Sequence, residues 1–205
     1  MLYRNRIIDD TNPPPSPQLV AQLEESLGCE LPTDYRQFLD VCNGGHAEYE
    51  VDVKFDDGTL EPLSFGALYA VALGSWETLP FELTEVRQQN GFPNELVLPI
   101  ARNGGGSMLF LDLRNSYRVV AFVHGLPAWT GLRQQDTLVN VAPTFHDYLD
   151  ALYISDDMIV DAITHFDPKY NVPEMMAEWF DTGSPNWRTT HADIWDRHVV
   201  NHKSG

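Results

Sequence analysis

Three strand-like runs joined only by short turns constrain the fold more than any other part of the sequence. The runs are residues 95–101 (ELVLPIA), 107–113 (SMLFLDL) and 117–123 (YRVVAFV). Their β-branched and aromatic side chains are typical of strands. The links, RNGGG and RNS, have hairpin length, whereas parallel strands need crossovers of about a dozen residues or more. The runs therefore predict neighbouring strands of an antiparallel sheet.

A further strand is predicted upstream, where apolar and charged residues alternate over residues 48–55. The apolar side chains are those of Tyr49, Val51, Val53 and Phe55, and the charged ones are those of Glu48, Glu50, Asp52 and Lys54. Because successive side chains on a strand point to opposite faces, the pattern predicts a half-buried strand with an acidic outer face. Asp57-Gly58 is typical of a hairpin turn, and residues 64–73 predict another strand.

Helix signals flank these strands. The first helix is predicted from an N-cap at Ser16 to a terminating Gly28. The second helix is predicted from Pro32 to the turn NGG at residues 43–45, and its apolar face consists of Tyr35, Phe38, Leu39 and Cys42. Two more helices are predicted, over residues 80–90 and 144–153.

Together these elements predict an α+β fold, with a mostly antiparallel sheet flanked by helices and a helical extension at the C-terminus. We expect a proline-rich N-terminal tail over residues 1–16, an α+β domain over residues 17–154, and the extension over residues 155–205. Within the extension, helices are predicted at residues 156–166, 173–180 and 190–202. Its aromatic residues make it too apolar to remain unstructured, so it should pack on the domain or on a partner.

The charge balance restricts the partners of this chain. It carries 13 Lys and Arg against 30 Asp and Glu, a net charge of −17. Nucleic-acid binding needs clustered basic residues, so direct binding of DNA or RNA is not expected. A strongly acidic protein also repels anionic membranes and attracts basic proteins. Because the sequence lacks both a secretory signal and a run of about 20 apolar residues, we expect a cytoplasmic protein without a membrane partner.

No pattern in the sequence predicts a catalytic site, a cofactor or a metal. The segment NGGGS at residues 103–107 lacks the Lys-Ser or Lys-Thr of a P-loop and leads into a strand, which favours a hairpin turn. His198 and His202 are four residues apart and could share a metal on one helix face, but spacing brings no further ligands to them. The chain is therefore predicted not to be an enzyme, and a metal-dependent enzyme using these histidines is kept as the weakest alternative.

Three groups of motifs follow one another in a fixed order. The first comprises Leu27-Gly28, Leu31-Pro32, Asp34-Tyr35, Phe38-Leu39 and Asn43-Gly44-Gly45. The second is residues 98–114, where a strand enters a Gly-rich turn and the next strand ends in an Asp, and the third is the Phe-led helix at residues 144–153. In this order, over residues 18–154, they resemble the SUKH superfamily, the group related to the fungal cell-wall assembly regulators.

This resemblance implies an α+β fold without a defined catalytic site. Bacterial members of the superfamily are mostly cytoplasmic immunity proteins, which neutralise a toxin, often a nuclease, that is delivered between competing cells. Fungal members act as regulatory and interaction proteins, so a regulatory scaffold without a toxin partner stays open as a second hypothesis. The motif residues would then hold the fold, and variable exposed residues would hold the partner.

The leading hypothesis is an immunity protein that binds and neutralises a cognate toxin stoichiometrically. Nuclease surfaces are often basic because they hold phosphates, and an acidic inhibitor can match that charge. Residues 24–61 contain eleven acidic residues against two basic ones, although such a run can also be a merely solvated face. The predicted partner-binding residues are Glu48, Glu50, Asp52, Asp56 and Asp57.

Overall fold

A central antiparallel sheet organises the chain in the computed structural model, which describes residues 1–71, 96–114, 117–165 and 173–197. The strands are β1 (Leu2–Tyr3), β2 (Arg6–Ile7), β3 (Gly45–His46), β4 (Val51–Lys54), β5 (Leu60–Leu63), β6 (Ala67–Leu68), β7 (Val97–Arg102), β8 (Met108–Asp112), β9 (Arg118–Val123) and β10 (Thr137–Ala142). Among these described residues, six strands form one sheet in the order β10-β9-β8-β7-β6-β3. The pairs β1–β2 and β4–β5 form separate antiparallel hairpins.

In chain order, two of the described helices precede the strands of the six-stranded sheet and five follow them. They are α1 (Pro17–Leu27), α2 (Thr33–Leu39), α3 (Phe145–Ala151), α4 (Asp156–Thr164), α5 (Pro173–Gly183), α6 (Trp187–Thr190) and α7 (Ala192–Trp195). The predicted α+β class, with a mostly antiparallel sheet and C-terminal helices, is confirmed. In the part of the chain that the structure describes, no helix combines the length and the apolar composition needed to cross a bilayer.

The predicted strands at the centre of the sheet are confirmed as β7, β8 and β9. The β7–β8 turn is held by Asn103, whose Oδ1 accepts hydrogen bonds from the backbone N–H groups of Gly105 (2.9 Å) and Ser107 (2.8 Å). Both faces of β8 are buried: Leu109 belongs to the main core, and Phe110 belongs to a smaller cluster on the other face. This double burial explains why the segment is continuously apolar rather than alternating.

The predicted alternation over residues 48–55 is also confirmed. The apolar set Tyr49, Val51, Val53 and Phe55 is buried, and the segment forms β4, which continues through a turn at Gly58 into β5. Of the strand predicted at residues 64–73, the structure describes residues 64–71, and within them β6 covers only Ala67–Leu68. Beyond it, the backbone of Val71 bonds to the side-chain amide of Asn43 rather than to a neighbouring strand.

Both predicted N-terminal helices form, but α2 is shorter than predicted. For α1, the Ser16 hydroxyl caps the N–H of Leu19 and Gly28 ends the helix with a φ of 73°. For α2, the helix ends at Leu39 and not at residues 43–45. Beyond Leu39 the N–H of Val41 bonds to the carbonyl of Phe38 at a three-residue spacing, while the N–H of Cys42 keeps the helical four-residue spacing to the same carbonyl. This tightening is typical of the last turn of a helix.

The first ten residues contact the domain. The β1–β2 hairpin buries Ile8, and Asp9 pairs with His46 at the edge of the sheet. Gly45 permits this approach, because a Cβ there would overlap the carbonyl oxygen of Asp9. The N-terminal segment therefore extends the sheet edge at β3.

The C-terminal helices share the core of the sheet domain. Phe180 and Trp187 are buried in the same hydrophobic cluster as Leu152 and Ile154. Gly183 lies so close to Ile154 that a Cβ on this glycine would overlap the isoleucine side chain. Of the helix predicted at residues 190–202, the structure describes residues 190–197, where the short helix α7 follows α6 after a break at His191.

Several sequence predictions concern residues that the structure does not describe. The helix predicted over residues 80–90 lies wholly outside the described ranges, as do His198 and His202. Five of the described strands were not predicted, namely the two-residue strands β1, β2 and β3 and the longer strands β5 and β10. β5 contains Pro62, which weakens a strand signal, and β10 carries Asn140 in its middle.

Candidate partner-binding surface

The β4–β5 hairpin carries the predicted partner-binding residues on its outer side. Val51 and Val53 point into the core, and the residues between and after them, Asp52 and Lys54, are exposed. Of the predicted set, Glu48, Asp52, Asp56 and Asp57 are exposed, whereas Glu50 is half-buried. We call these five carboxylates the acidic strip.

The middle of the acidic strip is attached to the end of the sheet domain by Tyr153. Glu50 and Tyr153 exchange backbone hydrogen bonds of 2.8 and 2.9 Å. The Tyr153 hydroxyl donates to Asp52 Oδ1 at 2.7 Å. Burial and the adjacent Asp52 carboxylate both raise the pKa of Tyr153. The phenol therefore remains a hydrogen-bond donor, and Asp52 is held in a fixed position.

The distal end of the strip is fixed by the hairpin turn. Asp57 Oδ1 accepts a hydrogen bond of 2.8 Å from the backbone N–H of Thr59. That bond lowers the pKa of Asp57, so the carboxylate is ionised at neutral pH. Gly58, with a φ of 89°, supplies the left-handed conformation that the turn requires.

The acidic strip is elongated. Glu48 borders a depression of about 570 Å³ together with Ser64 and Arg102. Asp56 and Asp57 border a different depression, of about 400 Å³, together with Leu132 and Arg133. The eight residues 48–55, which lead from the first carboxylate of the strip to the hairpin turn, span roughly 26 Å when extended. The structure therefore distributes the predicted residues along one edge and does not gather them into a pocket.

Arg133 connects this edge to the neighbouring loop. Its guanidinium carbon lies 4.5 Å from the centre of the Phe55 ring, and Nη2 lies 3.7 Å from Glu61 Oε2. Nη1 also donates to the carbonyl of Gln135 at 2.6 Å. The Arg133 side chain is only 14% exposed. Because its positive charge is paired with Glu61 and largely buried, it does little to neutralise the carboxylates on the neighbouring surface.

One buried carboxylate lies outside the strip. Asp112 is 2% exposed and borders a cavity of about 160 Å³ on the sheet. Arg114 Nε donates to its Oδ1 at 2.8 Å, and Arg118 Nη2 donates to its Oδ2 at 3.2 Å. The hydrogen bonds from Arg114 are the main cause of the lowered pKa of Asp112. The group is therefore a permanent anion that links two strands.

The histidines do not form a metal centre among the described residues. No group of three or more His, Cys, Asp or Glu side chains converges there. His191 is buried, and its Nε2 lies 2.9 Å from Asp156 Oδ1, which ties the C-terminal helices to each other.

The structure also shows an exposed aromatic residue that sequence reasoning did not single out. Trp129 is 86% exposed, in a loop that approaches the distal end of the acidic strip. Tryptophan normally indicates a core position, and the surrounding Gly125, Pro127 and Gly131 are the only sequence signal of a surface loop.

Comparison with known proteins identifies one family. The model of the SMI1 / KNR4 family (SUKH-1) matches residues 14–151. Comparison with curated proteins gives no significant match.

Proposed function

The chain belongs to the SMI1 / KNR4 family (SUKH-1), and on this basis we propose that it is an immunity protein. It neutralises a cognate toxin, such as a nuclease, by direct stoichiometric binding in the cytoplasm. It acts by covering the active site of the toxin or an adjacent surface, and it performs no reaction itself.

The acidic strip is the observation that carries this proposal. Its carboxylates lie along an exposed edge whose backbone is fixed by the core beneath it and by Tyr153. The carboxylates of Asp52 and Asp57 are held by hydrogen bonds, so these two charges do not have to be ordered when a basic partner binds. The net charge of −17 adds long-range attraction, which raises association rates by roughly 10- to 1000-fold at low salt.

The dimensions of the strip also favour a protein partner over a small ligand. A strip of roughly 26 Å matches the width of a standard protein–protein interface, which buries about 800 Å² on each side. A small-molecule site would instead enclose its ligand in a concave, largely apolar pocket. The depressions at the two ends of the strip are open, and polar side chains form the larger part of their borders.

The test measures association between this chain and the toxin encoded beside its gene, used as a catalytically inactive variant. Reversing charges in Glu48→Lys, Asp52→Lys and Asp56→Lys should lower the association rate constant by about tenfold or more at low salt. It should also flatten the salt dependence of that rate. Asp57 is left unchanged because it holds the turn.

A matched control separates local from overall charge. The control variant changes the net charge by the same amount at three exposed positions on or beside helices, with Glu25→Lys, Asp40→Lys and Asp196→Lys. It should lower the association rate constant clearly less than the strip variant does. If both triple variants slow association equally, the strip is not the binding site. If the neighbouring gene product is not toxic, or does not bind this chain, the regulatory-scaffold alternative is favoured.

A further inference from the structure

Residues 124–136, which we call the Trp129 loop, present exposed apolar side chains beside the acidic strip. Trp129 is 86% exposed and Leu132 is 61% exposed. Single exposed apolar residues are ordinary on protein surfaces. A loop that exposes both a tryptophan and a leucine to this extent is uncommon, and exposed apolar groups of this kind mark interaction sites.

The Trp129 loop has a defined structure and is closed at its base. The N–H of Leu126 donates to the carbonyl of Arg133 at 2.6 Å. The N–H of Gly125 donates to Asp136 Oδ1 at 2.9 Å. At Gly125 a Cβ would overlap the carbonyl oxygen of Gln134, so the two sides of the loop are in direct contact.

The segment that carries Trp129 is also ordered. It forms a 3₁₀ turn over Ala128–Thr130, which Gly131 ends with a φ of 69°. The Thr130 hydroxyl donates to the carbonyl of Pro127 at 2.8 Å and accepts from the N–H of Leu132 at 3.2 Å. The backbone that carries Trp129 is thus fixed by hydrogen bonds, and the side chain projects into solvent. Burying this side chain against a partner therefore costs little loss of backbone conformational entropy.

The Trp129 loop and the distal end of the acidic strip form one continuous surface. Leu132, Asp56 and Asp57 border the same depression. Arg133 holds the loop against the hairpin through its contacts with Phe55 and Glu61. A partner that contacts Asp56 and Asp57 would therefore also contact the loop.

We propose that Trp129 is the energetic anchor of the toxin interface and inserts into an apolar pocket that basic residues surround. Asp56 and Asp57 pair with those basic residues. This inference rests on the proposed function, and it assigns the centre of binding to the distal end of the strip. Interface hot spots are enriched in tryptophan, and charged groups near them fix the register of the partner.

Charge complementarity favours a basic partner over a second copy of this chain. A symmetric dimer would place the same patch on both sides of the interface. It would then bring Asp56 and Asp57 close to their counterparts on a molecule that also has a net charge of −17. A basic toxin brings opposite charges to the same carboxylates.

The experiment compares Trp129→Ala with the unmodified chain in binding to the inactive toxin encoded by the adjacent gene. The dissociation constant should rise at least about 30-fold, mainly through faster dissociation, because hot-spot truncations have effects of this size. Leu132→Ala should weaken binding severalfold. Leu2→Ala is the matched control, since Leu2 is 58% exposed but lies on β1, and it should leave binding unchanged.

The outcomes separate this inference from the proposed function. If Trp129→Ala changes the dissociation constant less than about threefold while charge reversal in the strip slows association, the inference is overturned and the proposed function stands. If the unmodified chain does not bind the toxin, both are overturned. If sedimentation shows a dimer of the unmodified chain that Trp129→Ala abolishes, a second copy covers the loop and the inference is overturned.

Discussion

At the scale of single residues, Asp112 is the carboxylate whose environment is most clearly defined. It is buried between β8 and β9 and bonds to both Arg114 and Arg118. Asp112→Asn would leave the two arginines without their counter-ion. We expect a loss of about 1–3 kcal/mol in the free energy of unfolding, less than for a fully buried pair because both arginines are partly exposed. Urea unfolding at pH 7 measures this loss.

The effect of Asp112→Asn should depend on pH in a defined direction. Because the pKa of Asp112 is lowered in the folded state, its contribution to stability is fully present above the unfolded pKa of about 3.9. It is lost as the pH falls through the lower folded value. The stability difference between Asp112→Asn and the unmodified chain should therefore shrink below about pH 4.

A paired control tests whether burial causes this effect. Asp150 also pairs with an arginine, Arg4, but this carboxylate is 51% exposed, whereas Asp112 is 2% exposed. Asp150→Asn should cost at most about 1 kcal/mol. Equal losses from the two substitutions would contradict the structural role assigned to Asp112.

At the scale of elements, the base of the Trp129 loop offers a test that leaves the tryptophan itself intact. Gly125→Ala would force the loop apart, because the new Cβ overlaps the Gln134 carbonyl. We expect toxin binding to weaken by roughly 5- to 30-fold and amide exchange within the loop to accelerate. In Gly104→Ala, the added Cβ meets nothing within 4 Å, and this control should change neither quantity. Unchanged toxin binding in Gly125→Ala would contradict the claim that the closed base of the Trp129 loop positions Trp129 for binding.

The C-terminal helices are predicted to unfold together with the sheet. Phe180 is fully buried in the core that also contains Ile154. Phe180→Ala should therefore destabilise the whole chain by about 3–5 kcal/mol in one cooperative transition. Trp129→Ala removes a larger but exposed side chain and should change stability by about 0.5 kcal/mol or less. A separate early transition in Phe180→Ala would show that the extension is an independent unit.

The elements that could be predicted from sequence are those set by local signals. The Ser16 cap, the Gly28 terminus and the alternation around β4 depend on neighbours in the chain, and the structure confirms them. The short β6 depends on distant hydrogen bonds, because the Asn43 side chain bonds to the backbone of Val71 beyond this strand. Local patterns do not contain this information.

The same distinction applies to the candidate site. Alternation places Asp52 on the outer face, but its contact with Tyr153 joins residues 101 positions apart. The exposure of Trp129 depends on how the loop closes over Gly125, and residue type alone predicts the opposite. The exposure of the acidic strip could therefore be predicted from sequence, whereas the exposed apolar side chains of the Trp129 loop could be identified only from the structure.

At the scale of the whole molecule, one α+β body supports the exterior that we propose to bind the toxin. The core extends from Ile8 to Trp187, so the strip and the loop are both supported by one body. A net charge of −17 attracts basic partners over distances of about one Debye length, roughly 8 Å at physiological salt. Affinity then depends on short-range contacts at the surface.

The proposed stoichiometric neutralisation is best tested by titrating the activity of the toxin with the purified chain. With the toxin well above the dissociation constant of the complex, we predict that its activity falls linearly and reaches zero at one equivalent of this chain. Removal of activity by a small fraction of an equivalent would indicate turnover and thus an enzyme. Full activity in the presence of excess chain would contradict direct neutralisation.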